Sequence, residues 1–219
     1  MSIITSRVVK VQNVRQLSQS TFVVRIERGE IDFHPGQYIT LGLPGNNVIR
    51  EYSIYSGFDQ SYLEVLIKRI EEGSVSKQLV QQPPGAELLC DGPFGYFTIN
   101  KLKFNSDFLF IASGTGISPF HSFISSYKDL NYRLLHGVRS VDETYDKHIY
   151  AKDSYIACIS GDRVGPWFSG RVTKYLQENE VRTGTLCYIC GNSEMIFESF
   201  DILKKQGLPS SNLFAEVYF

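Results

Sequence analysis

Arg50, Tyr52 and Ser53, in the stretch REYSIYSG (50–57), bring a cation, a phenol and a hydroxyl into one short strand. Alternation puts Arg50, Tyr52 and Ile54 on one face and Glu51, Ser53 and Tyr55 on the other. A strand that only filled a core would carry Val and Ile at most of these places. A guanidinium can give a phosphate two parallel, charge-assisted bonds, yet an exposed edge strand with a surface tyrosine accounts for the same string. A second stretch, DFLFIASGTGISPF (107–120), reads as a buried strand, a loop Ser113-Gly114-Thr115-Gly116 and a helix with Pro119 near its start. Gly114 and Gly116 let backbone approach a ligand closely. The helix N-terminus that follows offers N–H groups and a positive dipole end to a pyrophosphate. A tight strand-to-helix turn needs glycine for its own geometry too, and Pro119 stands where the dinucleotide fingerprint has a third glycine. The position after the first strand of an alternating half favours a dinucleotide site.

Cys187 and Cys190 have the spacing of a redox or metal pair. Within a strand, however, residues three apart point to opposite faces, and no second Cys or His pair completes a zinc set. His34, His121, His136 and His148 are scattered, so no metal site is expected.

The elements that must carry these residues fall into two rhythms. Up to about residue 102, RVVKVQNV, TFVVRIE, QYITLGL, REYSIYS, YLEVLIKRI, AELLCDG and GYFTIN are short β-rich runs divided by Gly, Pro, Asn or Asp. They imply an antiparallel barrel or sandwich. From 103 to 219, apolar strands DFLFIAS, YRLLHGV, SYIACIS, TLCYICG and LFAEVYF alternate with helix-length stretches, the pattern of a doubly wound parallel α/β sheet. One helix, NSEMIFESFDILKKQG, has Ser193 as N-cap, Ile196, Phe200 and Leu203 as its apolar stripe and Gly207 as its stop.

The chain has 219 residues, 42% hydrophobic and 21% charged, enough to bury a core. Ten basic and ten acidic residues precede Leu102, and twelve and thirteen follow. Neither half has the basic excess that nucleic acid or an anionic membrane asks for. The absence of a long apolar run, and a start unlike a secretory signal, lead to the expectation of a cytoplasmic protein. Four cysteines do not make a disulfide scaffold.

Seven elements in order resemble the ferredoxin–NADP⁺ reductase superfamily, of the bacterial ferredoxin/flavodoxin–NADP reductase type. They are FHPGQYITL, REYS, GSVS (73–76), GPFGYF, GTGISP, CGNSEM and the terminal EVYF. The resemblance implies an N-terminal FAD-binding β-barrel, 1–102, and an NAD(P)-binding α/β domain, 103–219. By that resemblance Arg50 pairs with the FAD pyrophosphate, Tyr52 packs on the isoalloxazine, Ser53 faces its N5, and Leu66, Ile67 and Lys68 line the cofactor. Gly73, Ser74, Val75 and Ser76 open a short phosphate-holding helix, although an ordinary helix cap explains those serines equally well. Ser53, Cys190 and Glu216 converge on the place of hydride transfer, and Tyr218 stacks on the flavin where nicotinamide must lie, with Phe219 one residue beyond. Gly114, Thr115 and Gly116 hold the pyridine nucleotide, NADP(H) or alternatively NAD(H).

Arg139 and Arg171 match places where NADPH users keep cations, and Trp167 or Phe168 could stack on adenine. Ser160-Gly161-Asp162 lacks the arginine expected there, and Arg163 lies two residues on. No iron–sulfur cysteine set is present, so the one-electron centre lies elsewhere. The resemblance implies transient docking of ferredoxin or flavodoxin by a monomer, with Arg28, Lys68, Arg69 and Lys77 as part of a basic edge or as an ordinary solvated charge pattern. Two rival readings stand beside it: an NADH-dependent reductase serving an oxygenase or free flavin, and a flavin-binding electron-transfer subunit without pyridine-nucleotide activity.

Overall fold

The computed structural model describes residues 7–46, 48–71, 74–161 and 165–218. They form two compact units, Met1–Thr98 with Ser118–Ser126, and Ile99–Ile117 with Tyr127–Phe219. No helix among the described residues is long and apolar enough to cross a membrane.

The first unit is a six-stranded antiparallel sheet. Its strands are β1 (Arg7–Gln16), β2 (Thr21–Glu27), β3 (Tyr38–Gly42), β4 (Ile49–Ser53), β5 (Tyr62–Lys68) and β6 (Glu87–Phe94), with a short helix α1 (Ser74–Leu79) between β5 and β6. The spatial order β4-β3-β6-β1-β2-β5 leaves β4 and β5 as the two edges. The sheet curls until Ile54 and Val65 form one antiparallel bridge and the Tyr55 N–H donates to the Glu64 carbonyl at 2.7 Å. The expected barrel is therefore present but left unclosed along this seam. Inward positions alternate as a two-residue period requires: Leu63, Val65 and Ile67 of β5 join Ile39, Leu41 and Ile54 in one apolar core. On the opposite side of the β2–β5 pair, Arg25 donates to Glu64 Oε1 from Nε (2.9 Å) and Nη2 (2.8 Å) and lies 3.7 Å over the Tyr62 ring. GYFTIN, expected as a strand, is irregular from Gly95 to Asn100, because β6 already ends at Phe94.

The second unit is a parallel sheet of β7 (Asp107–Ser113), β8 (Asn131–Val138), β9 (Tyr155–Ile159), β10 (Phe168–Ser169), β11 (Leu186–Gly191) and β12 (Leu213–Val217), in the order β10-β9-β8-β7-β11-β12. The chain runs outward from β7 in one direction as far as β10, then returns to the other side of β7 with β11. The order reverses between β7 and β11, and open α/β sheets bind ligands outside the carboxyl ends of the strands at such a point. Helices α3 (Val172–Glu178) and α4 (Ser193–Lys205) belong to this unit. The N-cap of α4 is Asn192 and not Ser193: its Oδ1 accepts from the Glu194 and Met195 amides at 3.0 and 3.3 Å. The amide oxygen reaches the free N–H groups one residue before the expected start. Gly207, at φ +90°, ends the helix as expected.

The helix α2 (Ser118–Ser126) follows the glycine loop in sequence yet groups with the first unit. His121 stacks on Tyr55 with ring centroids 3.7 Å apart, and the Ser122 hydroxyl donates to the Ser56 carbonyl at 2.8 Å.

Candidate functional site

In the first unit the seam between β4 and β5 collects the residues singled out on those strands. Beyond the Ile54–Val65 bridge the next residues on its two lips are Ser53 and Leu66. Ser53 is 3% exposed, Leu66 and Ile67 are buried, and Lys68 ends β5 in solvent. Tyr52 is half-buried against the core, and burial pushes its phenol up to about 12, so the ring is neutral with its hydroxyl on. Arg50 is exposed, its Nη1 donating to the Ile49 carbonyl at 3.0 Å. An apolar ring edge, a buried hydroxyl and an exposed guanidinium along one seam fit a ligand with a flat ring and an anionic tail.

Helix α1 is the next element after β5 in the chain. Val75 is buried, and the Ser76 hydroxyl accepts from the Ile70 amide at 3.2 Å. Gly73 lies outside the described residues, and Ser74 is the first residue of the helix. Of the cations expected to form a docking edge, Arg28 donates to the carbonyls of Ile31 (2.9 Å), Phe58 (2.5 Å) and Gln60 (2.7 Å), so it staples two loops. Arg69 and Lys77 both pair with Glu71, each at 3.1 Å. Three of those four cations thus have local partners.

In the second unit the glycine loop sits at the switch point. It is a 3₁₀ turn, Gly114–Ile117, leaving the end of β7. A Cβ on Gly116 would collide with the Cys190 carbonyl oxygen and lie 2.7 Å from Gly191 Cα, so this glycine is demanded by β11 itself. Gly114 is different: it has φ +53° and open space around its Cβ position, so its requirement is conformational. The Ser113 hydroxyl accepts from the Asn192 amide at 3.0 Å, tying the ends of β7 and β11 together.

Cys190, Glu216 and Tyr218 are brought together. Glu216 is opposite Cys190 in the β11–β12 register, and the Tyr218 amide donates to the Gly191 carbonyl at 2.9 Å. Burial pushes the Cys190 thiol well above its usual 9.0, Glu216 adds to the rise, and a hydrogen bond with Tyr218 opposes it. Cys187 packs in the core beneath the sheet, and all four cysteines are buried and unbridged. Phe219 lies outside the described residues.

Along the same carboxyl edge, Val138, Ile159 and Ser169 are level across β8, β9 and β10. Arg139 follows the first and Arg171 the last, and both are exposed. Gly161, between them, donates its N–H to the Arg139 carbonyl at 2.9 Å. Asp162 and Arg163 lie outside the described residues. Trp167 has Lys147 Nζ 5.2 Å from its ring and Tyr155 edge-on at 6.3 Å, whereas Phe168 is engaged with Tyr175 at 5.1 Å.

Sequence reasoning passed over His136. This ring is fully buried in β8, with Nε2 2.9 Å from the Gly114 carbonyl oxygen and Nδ1 3.0 Å from the Tyr155 hydroxyl. The signal was its place in the apolar run YRLLHGV, since a polar ring there has to find partners.

Residues 7–99 match the family described as the oxidoreductase FAD-binding domain. The chain is similar to the toluate 1,2-dioxygenase electron transfer component of Pseudomonas putida, 27% identical over 95% of this chain but only 66% of that one, so it spans a little under two thirds of that relative's length. It is 25% identical to the flavodoxin/ferredoxin–NADP reductase of Escherichia coli (strain K12), over 88% of this chain and 86% of that one. In fold it matches a ferredoxin NADP⁺ reductase from Neisseria gonorrhoeae, solved with FAD and NADP, at TM-score 0.88 and 22% identity over 97% of this chain and 98% of that one.

Proposed function

We propose that this chain, an oxidoreductase with an FAD-binding domain on the two-domain fold of the ferredoxin–NADP⁺ reductases, passes electrons between NADPH and a one-electron carrier, ferredoxin or flavodoxin. The observation that supports this reading most is the meeting of Cys190, Glu216 and Tyr218 at the carboxyl ends of β11 and β12, beside the glycine loop at the switch point. When bound, FAD supplies the exchange of an electron pair, carried as hydride, for single electrons.

The protein's share is binding, orientation and proton handling. Arg50, with Ser76 and the first residues of α1, would hold the flavin's phosphates, and Tyr52 with the backbone of Leu66, Ile67 and Lys68 would line the cofactor. Ser53 keeps an exchangeable proton at a buried hydroxyl. Glu216, half-buried and opposite Cys190, would supply a carboxylate able to hold a proton on the nicotinamide side. Cys190 is held as the neutral thiol, so it shapes the nicotinamide's resting place and does not attack it. Tyr218, hydrogen-bonded to Cys190, would guard the nicotinamide's place and have to move aside as that ring enters. Gly114, Thr115 and Gly116 receive the pyrophosphate. Arg139 and Arg171, on one edge, give a 2′-phosphate two guanidinium partners.

Similarity to a dioxygenase electron transfer component favours a second reading, an NADH-dependent reductase serving an oxygenase. Anaerobic addition of each nucleotide to the yellow protein separates them. Rapid bleaching by NADPH supports the first reading, by NADH the second. Bleaching by neither points to an electron-transfer subunit that works only inside a complex, and a colourless protein that takes up no FAD refutes all three.

A further inference from the structure

We propose that His136 is the positioning residue of the dinucleotide loop: its Nε2–H fixes the Gly114 carbonyl and so sets the direction in which the Thr115 amide meets the nucleotide's pyrophosphate. This rests on the pyridine-nucleotide reading above. A carbonyl oxygen can only accept, so at 2.9 Å from Gly114 the Nε2 atom carries the hydrogen. Nδ1 is then a bare lone pair, and the Tyr155 hydroxyl, 3.0 Å away, donates to it. Burial holds the imidazole down at about 4, so the ring is neutral; the Gly114 carbonyl selects its tautomer, and the Tyr155 hydroxyl, able to donate or accept, follows that choice and steadies the ring. A ring that is 0% exposed and neutral is no proton carrier.

The consequence is local. Across a planar trans peptide the carbonyl of one residue and the N–H of the next point in opposite directions. Drawing the Gly114 carbonyl in toward β8 turns the Thr115 N–H the other way, toward the switch point between β7 and β11. Gly114 can accept this peptide orientation because it sits at φ +53°, where a side chain is disfavoured although nothing crowds it. Tyr155 is itself held, stacked on Tyr150 at 5.2 Å and met edge-on by Trp167 at 6.3 Å. The loop is therefore braced from β8 and β9, the strands that end beside Arg139 and Gly161.

The test compares whole nucleotides with fragments that lack the pyrophosphate bridge to nicotinamide. NADP⁺, NAD⁺, 2′-phospho-AMP and AMP are titrated calorimetrically into the FAD-loaded wild type, His136→Leu, His136→Gln and Tyr155→Phe. His136→Leu is expected to weaken whichever whole nucleotide the wild type binds by about tenfold, the loss of one buried hydrogen bond and its orientation. The matching adenine fragment should bind as before, and KM should rise more than kcat falls. His136→Gln, which can still present an N–H, recovers most of the loss. Tyr155→Phe, which removes the hydroxyl bonded to Nδ1 but leaves Nε2–H on the Gly114 carbonyl, steadies the imidazole less, falls between and serves if His136→Leu does not fold. Equal weakening of nucleotide and fragment, or no weakening, overturns the positioning role while leaving the nucleotide reading intact. A wild type that binds neither NADP⁺ nor NAD⁺ overturns both.

Discussion

The Cys190 carbonyl oxygen occupies the place that a Cβ on residue 116 would need, so Gly116 is fixed by the neighbouring strand before any ligand arrives. The reverse holds one residue on: a Cβ on Gly191 would strike the Ser113 hydroxyl and lie 3.0 Å from the Ser113 carbonyl. The loop after β7 and the end of β11 thus share one small volume at the switch point. Only glycine at both positions lets the two backbones lie so close.

Gly116→Ala is therefore expected to destabilise the fold by about 1–3 kcal/mol through overpacking against backbone that has no rotamer to yield. Gly114→Ala meets open space and loses only ~1 kcal/mol for its left-handed backbone. Urea unfolding of the two variants side by side measures the difference. Equal midpoints would remove the steric argument for Gly116.

Arg50 is exposed at the start of the seam, and a guanidinium there should carry much of the grip on a flavin's phosphates. Arg50→Leu is expected to weaken FAD retention by roughly 10- to 100-fold, the worth of a charge-assisted bond. Arg50→Lys should recover only part, because an ammonium cannot form the parallel pair. Release of FAD fluorescence during dialysis, repeated at rising salt, gives the answer. Unchanged retention in both variants would place the phosphates elsewhere.

The elements were legible in the sequence where period and punctuation agree. The apolar runs DFLFIAS and TLCYICG, and the alternation in YLEVLIK, carry their own strand signal, and β7, β11 and β5 stand where those runs are. GYFTIN failed because its aromatic and β-branched residues favour a strand, yet the chain there has already left β6. The two-residue β10 carries too few residues for any period. The grouping of α2 with the first unit depends on contacts such as Tyr55 with His121, more than sixty residues apart, which no local pattern encodes. For the candidate site, the strand carrying Arg50 and the glycine loop were readable from residue type and spacing. His136 was not, because its role comes from a carbonyl 22 residues away.

Thiol chemistry gives a sharp expectation. Burial pushes Cys90, Cys158 and Cys187 up to about 12 and Cys190 well above its usual value. At pH 8 only about one such thiol in ten thousand is ionised. Ellman's reagent should find no fast-reacting thiol in the native protein and four after denaturation. Cys190→Ala should slow flavin reduction by NADPH about tenfold through poorer placement of the nicotinamide. Complete loss of reduction in that variant, with a fast-reacting thiol in the native wild type, would make Cys190 a thiolate and the packing role wrong.

His136 also links stability to acid. Its folded pKa of about 4 lies below the ordinary 6.5, so between those values the unfolded chain binds more protons than the folded one. Stability must then rise with pH across that window: the contribution is fully present above pH 6.5 and is lost as pH falls toward 4. The gap between the folded and unfolded values corresponds to about 3 kcal/mol at most. Urea midpoints measured at pH 7 and pH 4.5 should separate widely in the wild type and much less in His136→Gln, whose amide does not titrate. The same separation in both proteins would assign the acid sensitivity to carboxylates and leave the buried imidazole without a part in it.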